Sequence, residues 1–215
     1  MRKQPLKRSE QMPTYEEEAH LFGQGYSLVA GLDEVGRGPL AGPVAAGVAV
    51  LPRNLKGQWV GLIRDSKQMT PTQREQALPY IQNAALALGV GMSTSQEIDD
   101  IGIVQATRLA MTRALDSLPL LPQFLLLDAF PLPGVAIPQK AIIRGDALCL
   151  SIAAASIVAK VTRDRLMVEQ DAKFPGYGFA RHKGYGTKEH IRSLMRLGPC
   201  AIHRRTFAPI KHLVG

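Results

Sequence analysis

Residues 27–51 read SLVAGLDEVGRGPLAGPVAAGVAVL. Two apolar runs, 27–33 (SLVAGLD) and 43–51 (PVAAGVAVL), flank a segment rich in glycine and proline. Their aliphatic content and the turn residues between them predict two strands joined by a turn. The first run ends on Asp33 and Glu34, acids that are poor strand residues and expensive to bury. The turn itself has the spacing G-x-G-x-x-x-G over Gly36, Gly38 and Gly42, with two prolines and no helix after it. That is neither a dinucleotide fingerprint nor a phosphate-cradling lysine loop. Glycines do let a backbone approach a ligand closely. The exposed N–H and C=O groups could contact a ribose 2′-hydroxyl, the group that separates RNA from DNA. A tight strand-to-strand turn accounts for the glycines equally well.

Outward from this hairpin, Thr70-Pro71-Thr72-Gln73 has the form of a helix start, with a Thr N-cap, proline in the first turn and Gln three residues after the cap. That helix is expected to run to about residue 87. A third strand is expected over 88–92. Residues 99–118 carry Ile101, Val104, Leu109, Met111 and Leu115 at roughly helical spacing. Residues 124–127, bounded by Pro122 and Pro131 and closed by Asp128, are short and wholly apolar, which favours a buried strand. A fifth strand over 141–144, a long helix over 147–173 and another helix over 187–197 complete the pattern. Together they predict an α/β fold, a mixed five-stranded sheet flanked by helices. Residues 1–20, with charge clusters of both signs, are expected to be a loose leader. Residues 21–215 form one domain, with 173–215 as its basic helical C-terminal appendage.

Composition agrees with one globular domain. Of 215 residues, 46% are hydrophobic and 20% charged, which excludes general disorder. Uncharged apolar runs such as 147–159 stay short of the roughly 18–20 residues a bilayer demands. The polar N-terminus shows no secretory signal. Two cysteines, Cys149 and Cys200, are too few for a disulfide framework or a zinc site, and a reducing cytoplasm is expected. The net charge is +8, and residues 173–215 hold nine lysines and arginines against one acid, Glu189. The remainder balances. So one-sided a block predicts a polyanionic partner, nucleic acid above all, although a solvated basic helix is the plain alternative.

Three strand ends deliver acids: Asp33-Glu34, Asp128 and Asp146. Asp146 would also serve as an N-cap for the helix that follows. In open α/β sheets ligands bind beyond the carboxyl ends of strands. Four carboxylates gathered there would repel one another unless hard divalent cations such as Mg²⁺ or Mn²⁺ bound among them. Beside a basic surface, this pattern suggests phosphodiester hydrolysis by a pair of metal ions.

Six stretches then carry a resemblance to bacterial ribonuclease HII: GLDEVGRGPLAGPV (31–44), DSKQMT (65–70), LLLDAF (125–130), IIRGDALCLSIAAASIVAKVTRDRLM (142–167), HKGYGTKEH (182–190) and HRRTFAP (203–209). They occur in order and span most of the chain from about residue 28. The resemblance implies a ribonuclease H-like fold and cleavage of RNA in RNA/DNA hybrids. It also implies incision 5′ of single ribonucleotides in duplex DNA, leaving 3′-hydroxyl and 5′-phosphate ends. By matching position, the catalytic and metal-holding acids are Asp33, Glu34, Asp128 and Asp146. Gly36, Arg37 and Gly38 would sense the 2′-hydroxyl, and Tyr185 would stack on the neighbouring sugar. Lys67, Lys160, Arg163 and Lys183 are expected at phosphates, with His182 and His203 in reach of them. Tyr177 is expected to be packing, and Trp59 and the histidines show no ligand spacing. The cofactor would be Mn²⁺ or Mg²⁺, the partner a hybrid or ribonucleotide-containing duplex, and the protein a cytoplasmic monomer. Ala129 follows Asp128 where glycine is common in the family, and Arg144 stands where lysine is common; the latter keeps the charge. Ribonuclease HIII and a non-catalytic RNA- or ribosome-binding protein are the alternatives.

Overall fold

The computed structural model describes residues 12–213, apart from residue 56. Five strands, β1 (Val29–Val35), β2 (Val44–Val50), β3 (Ala87–Ser93), β4 (Phe124–Asp128) and β5 (Gln139–Ile142), form one sheet in the order β3-β2-β1-β4-β5. The hairpin β1–β2 and the pair β2–β3 are antiparallel, whereas β1–β4 and β4–β5 are parallel. The sheet is therefore mixed, as the sequence pattern predicts. Helices α2 (Pro71–Ala84), α3 (Ser95–Asp116) and α5 (Leu150–Lys173) cover it. Thr70 does cap α2, in a reciprocal arrangement with Gln73.

One core cluster lies between α3 and the sheet, around Leu32, Val48, Met111, Leu125 and Leu127. The second lies between the opposite side of the sheet, α2 and α5. Here α5 comes very close to β1 and β2. A Cβ at Gly31 would lie 2.2 Å from the Ser151 carbonyl carbon, and one at Gly47 would lie 2.2 Å from the Ala155 oxygen. Only glycine in the strands and small residues on the helix allow this approach, and it seats the start of α5 against β1 at Gly31.

Two sequence expectations change. The long helix is broken: α4 (Gly145–Leu148) and α5 are separated at Cys149, whose backbone is extended (φ −118°, ψ 126°). Asp146 lies inside α4 and is not the cap of α5. The loose leader also fails where it can be seen, residues 1–11 lying outside the described residues. Helix α1 (Glu16–Gly23) packs Leu21 and Phe22 against Val29, Leu126, Cys149 and Ile152. Thr14 bridges to Cys149, with its N–H donating to the Leu148 carbonyl and its carbonyl accepting from Leu150. Buried Glu18 accepts from the Ser151 N–H at 2.7 Å, which supplies the acidic cap that α5 lacks locally. Phe22→Ala is therefore expected to lower unfolding stability by about 3 kcal/mol, read from the denaturant midpoint. A loose leader would give less than about 0.5 kcal/mol.

Candidate metal centre and nucleic-acid cleft

The sheet register brings the first two acids together. In the parallel pair β1–β4, Gly31 lies beside Leu126 and Leu32 beside Leu127. One step further along places Asp33 next to Asp128, on the same face and at the same strand ends. Asp146 arrives from α4, immediately after β5, whose Ile142 pairs with Asp128. Ligand oxygens of Asp33, Asp128 and Asp146 lie within 4.8 Å of one another, and all three residues are buried. Asp128 Oδ1 accepts the Gly145 N–H at 2.7 Å, tying β4 to the start of α4. Asp33 Oδ1 accepts the Glu34 N–H at 2.8 Å, while its Oδ2 is buried without a hydrogen bond. Ala129 adopts φ 63°, a left-handed conformation that favours glycine, yet the Asp128 carboxylate holds its place.

Burial, and then the neighbouring charge of Glu34, raises the Asp33 carboxyl well above the usual carboxylate range. Burial followed by the charge of Asp146 raises Asp128, and burial raises Glu34. Three crowded, desolvated carboxylates with an orphaned oxygen are a donor set for a hard divalent cation, which would remove the repulsion that lifts these groups. Glu34 stands beside the trio but contributes no ligand atom to it, and it sits 3.5 Å from the Arg37 guanidinium. Lys67 lies across the trio, its Nζ donating to Asp146 Oδ2 at 2.6 Å.

Lys67 also lines a cleft with Glu34, Gly36, Arg37, Gly38, Lys160 and Tyr185, so the acids and the cleft are contiguous. Gly36 and Gly38 play different parts there. Gly36 has φ +86°, and a Cβ on it would lie 2.2 Å from Arg163 Nε. A Cβ on Gly38 would meet no atom of the chain within 4 Å, so its missing side chain leaves the cleft open. Tyr185 is partly exposed, with Lys160 Nζ 5.7 Å from its ring centroid. Lys160 is itself paired with Asp164 at 2.8 Å. Lys183, half-buried and left-handed (φ 52°), lines a neighbouring groove with Arg165, Arg181 and Tyr185.

Arg163 is not placed to touch phosphate. It is fully buried and donates to the carbonyls of Pro43 (2.8 Å), Lys183 (3.0 Å) and Ala41 (3.2 Å), so it joins the glycine turn to the Tyr185 loop. His182 and His203 are also buried. With His190 they form a network missed by spacing alone. His182 accepts from the Gly184 N–H through Nδ1 and reaches the Tyr177 carbonyl through Nε2 (2.9 Å). His203 Nδ1 accepts from the Cys200 N–H, and its Nε2 meets His190 Nε2 at 3.1 Å. His190 Nδ1 reaches the Tyr185 carbonyl at 2.9 Å. These partners give each ring one donor and one acceptor, which is the pattern of neutral imidazoles. Burial depresses His190, and it depresses His203 to about 4. Tyr177 is packing, as expected: it stacks on Phe179 and donates to the Gly198 carbonyl. Helix α6 (Lys188–Leu197), capped by Thr187, carries Lys188, Arg192 and Arg196 of the basic segment. No helix among the described residues is long and apolar enough to cross a membrane.

Residues 30–210 match the family profile of ribonuclease HII. A ribonuclease HII of Dehalococcoides mccartyi is 53% identical over 201 residues, covering 94% of this chain and 95% of its own length. One of Enterococcus faecalis is 50% identical over 204 residues, covering 95% of this chain and 78% of its own. Among solved structures, the ribonuclease H2 of Pyrococcus horikoshii aligns with a TM-score of 0.73 at 29% identity, over 86% of this chain and 96% of that one.

Proposed function

Because the chain belongs to the ribonuclease HII family, metal-dependent nucleases that cleave the RNA of RNA/DNA hybrids, we propose that it also incises duplex DNA at single embedded ribonucleotides. Cleavage falls on the 5′ side of the ribonucleotide and leaves 3′-hydroxyl and 5′-phosphate ends. The observation that carries this reading is the buried trio Asp33, Asp128 and Asp146 opening through Lys67 onto a glycine-walled cleft.

Asp33, Asp128 and Asp146, with Glu34 alongside, would hold the divalent cations, Mn²⁺ or Mg²⁺. Two such ions would supply an activated water and stabilisation of the leaving oxygen. The chain itself supplies orientation. The N–H groups of the Gly36–Gly38 turn donate to the 2′-hydroxyl oxygen, a contact that deoxyribose cannot accept. Tyr185 offers its exposed ring to the sugar on the DNA side of the junction. Lys67 and Lys160 place positive charge beside the phosphate as negative charge builds on it. The exposed basic residues of 173–215, buried Arg204 excluded, hold the duplex backbone without reading bases, which makes binding salt-dependent and sequence-independent. The protein acts as a cytoplasmic monomer.

A labelled duplex carrying one internal ribonucleotide tests the reading. With Mn²⁺ or Mg²⁺ it should be nicked once, 5′ of the ribonucleotide, and with EDTA it should stay intact. A gel shift without a nick in every lane would leave a binding protein as the better account.

A further inference from the structure

Arg204 is the second fully buried arginine, and no carboxylate pairs with it among the described residues. Its guanidinium is spent on carbonyls. Nη2 donates to Gly36 (2.5 Å) and Gly42 (2.9 Å), Nη1 to Arg37 (2.8 Å) and Nε to Gly42 (3.0 Å). The Phe207 ring lies 5.1 Å beneath it. Burial and the nearby Arg163 push it down to about 9, so the arrangement is held against a real desolvation penalty.

The consequence follows from peptide geometry. The plane that carries the Gly36 carbonyl also carries the Arg37 N–H, and the plane of the Arg37 carbonyl carries the Gly38 N–H. In a trans peptide the two groups point in opposite directions, and the one cis bond among the described residues lies elsewhere, at Ala208-Pro209. With both carbonyls drawn inward to one guanidinium, two consecutive N–H groups are turned away from it, in the stretch that lines the cleft. Neither N–H has a hydrogen-bond partner among the described residues. Further along the turn, the Leu40 N–H donates to Gly184 and the Gly42 N–H donates to Ile202.

We propose that Arg204 is the positioning residue for ribonucleotide recognition: it holds the Gly36 and Arg37 carbonyls inward so that the Arg37 and Gly38 N–H groups stand ready for a 2′-hydroxyl. This rests on the reading that the enzyme senses single ribonucleotides. Arg204 touches no substrate. It sets selectivity through the backbone, and a planar fork is required because three carbonyls are bound at once.

The test compares binding of two duplexes of one sequence in EDTA, one carrying a single ribonucleotide and one all DNA. The wild type should bind the first at least about tenfold more tightly, the worth of one good buried hydrogen bond. In Arg204→Lys, which keeps a positive charge but not the fork, the ratio should fall close to one while affinity for the all-DNA duplex changes less than about twofold. A general loss of stability would weaken both duplexes alike. Should lysine not fold, Arg204→Gln, whose amide keeps two donors without the charge, is read in the same assay with the same expectation. A variant that keeps the wild-type ratio overturns the role of Arg204 alone. A wild type without any preference overturns the ribonucleotide reading and the inference together.

Discussion

Asp33→Asn is expected to reduce cleavage by at least about a thousandfold while leaving hybrid binding in EDTA within about threefold of wild type. The loss reflects the several kcal/mol that bound cations contribute to such a transition state, at 1.36 kcal/mol per decade of rate. The same change should stabilise the protein without metal. Asp33 is buried, one of its oxygens is orphaned, and burial with the Glu34 charge raises its carboxyl. A carboxyl raised in the folded state is a penalty that sets in as pH climbs past its unfolded value and is complete above its folded one. Asparagine removes that penalty and still accepts the Glu34 N–H. At pH 7 in EDTA the melting temperature of Asp33→Asn should therefore exceed that of wild type by several degrees, and the gap should close as pH falls towards 3. Added Mn²⁺ should raise the wild-type melting temperature and leave the variant nearly unmoved. A wild type that melts above the variant in EDTA at pH 7 would refute the crowded-acid account.

Gly38→Ala should lower kcat/KM on a ribonucleotide-containing duplex by about 10- to 100-fold with stability unchanged within about 0.5 kcal/mol. A methyl at this position meets nothing in the chain but stands in the cleft, where a displacement of the sugar by an ångström is enough. Gly36→Ala should behave in the opposite way. Its φ of +86° and the 2.2 Å approach to Arg163 make the methyl a steric problem for the fold itself, at about 2–3 kcal/mol. Denaturant midpoints and initial rates measured on the two variants separate the roles. If Gly38→Ala cuts at the wild-type rate, the turn does not face the sugar.

The five strands and most helices were legible because their apolar periods and caps are local, whereas the order of the strands in the sheet was not. Asp33 and Asp128 stood out for the same reason, as acids closing apolar strands. Asp146 read equally well as a cap, since nothing in Ala147-Leu148-Cys149 marks the break that separates it from α5. Helix α1 was hidden by its Glu16-Glu17-Glu18 run, and the partner that justifies burying Glu18 lies 133 residues away. Arg163 and Arg204 carried the opposite disguise. In a basic tract an arginine reads as surface, and only the folded chain shows carbonyls from the glycine turn closing around it. The histidine network was missed because His182, His190 and His203 follow no metal-ligand spacing, their partners being backbone groups and one another.

The hydrogen bond from Arg204 to Gly36 spans 168 positions. A ribosome making this protein thus completes the sheet, the acid trio and the long helix before the turn at Gly36 receives its anchor. Until then a nascent chain has the parts for cutting but an unset gauge for what to cut. On the role proposed for Arg204, selectivity is thus the last property to mature, set only once residue 204 has folded back onto residue 36.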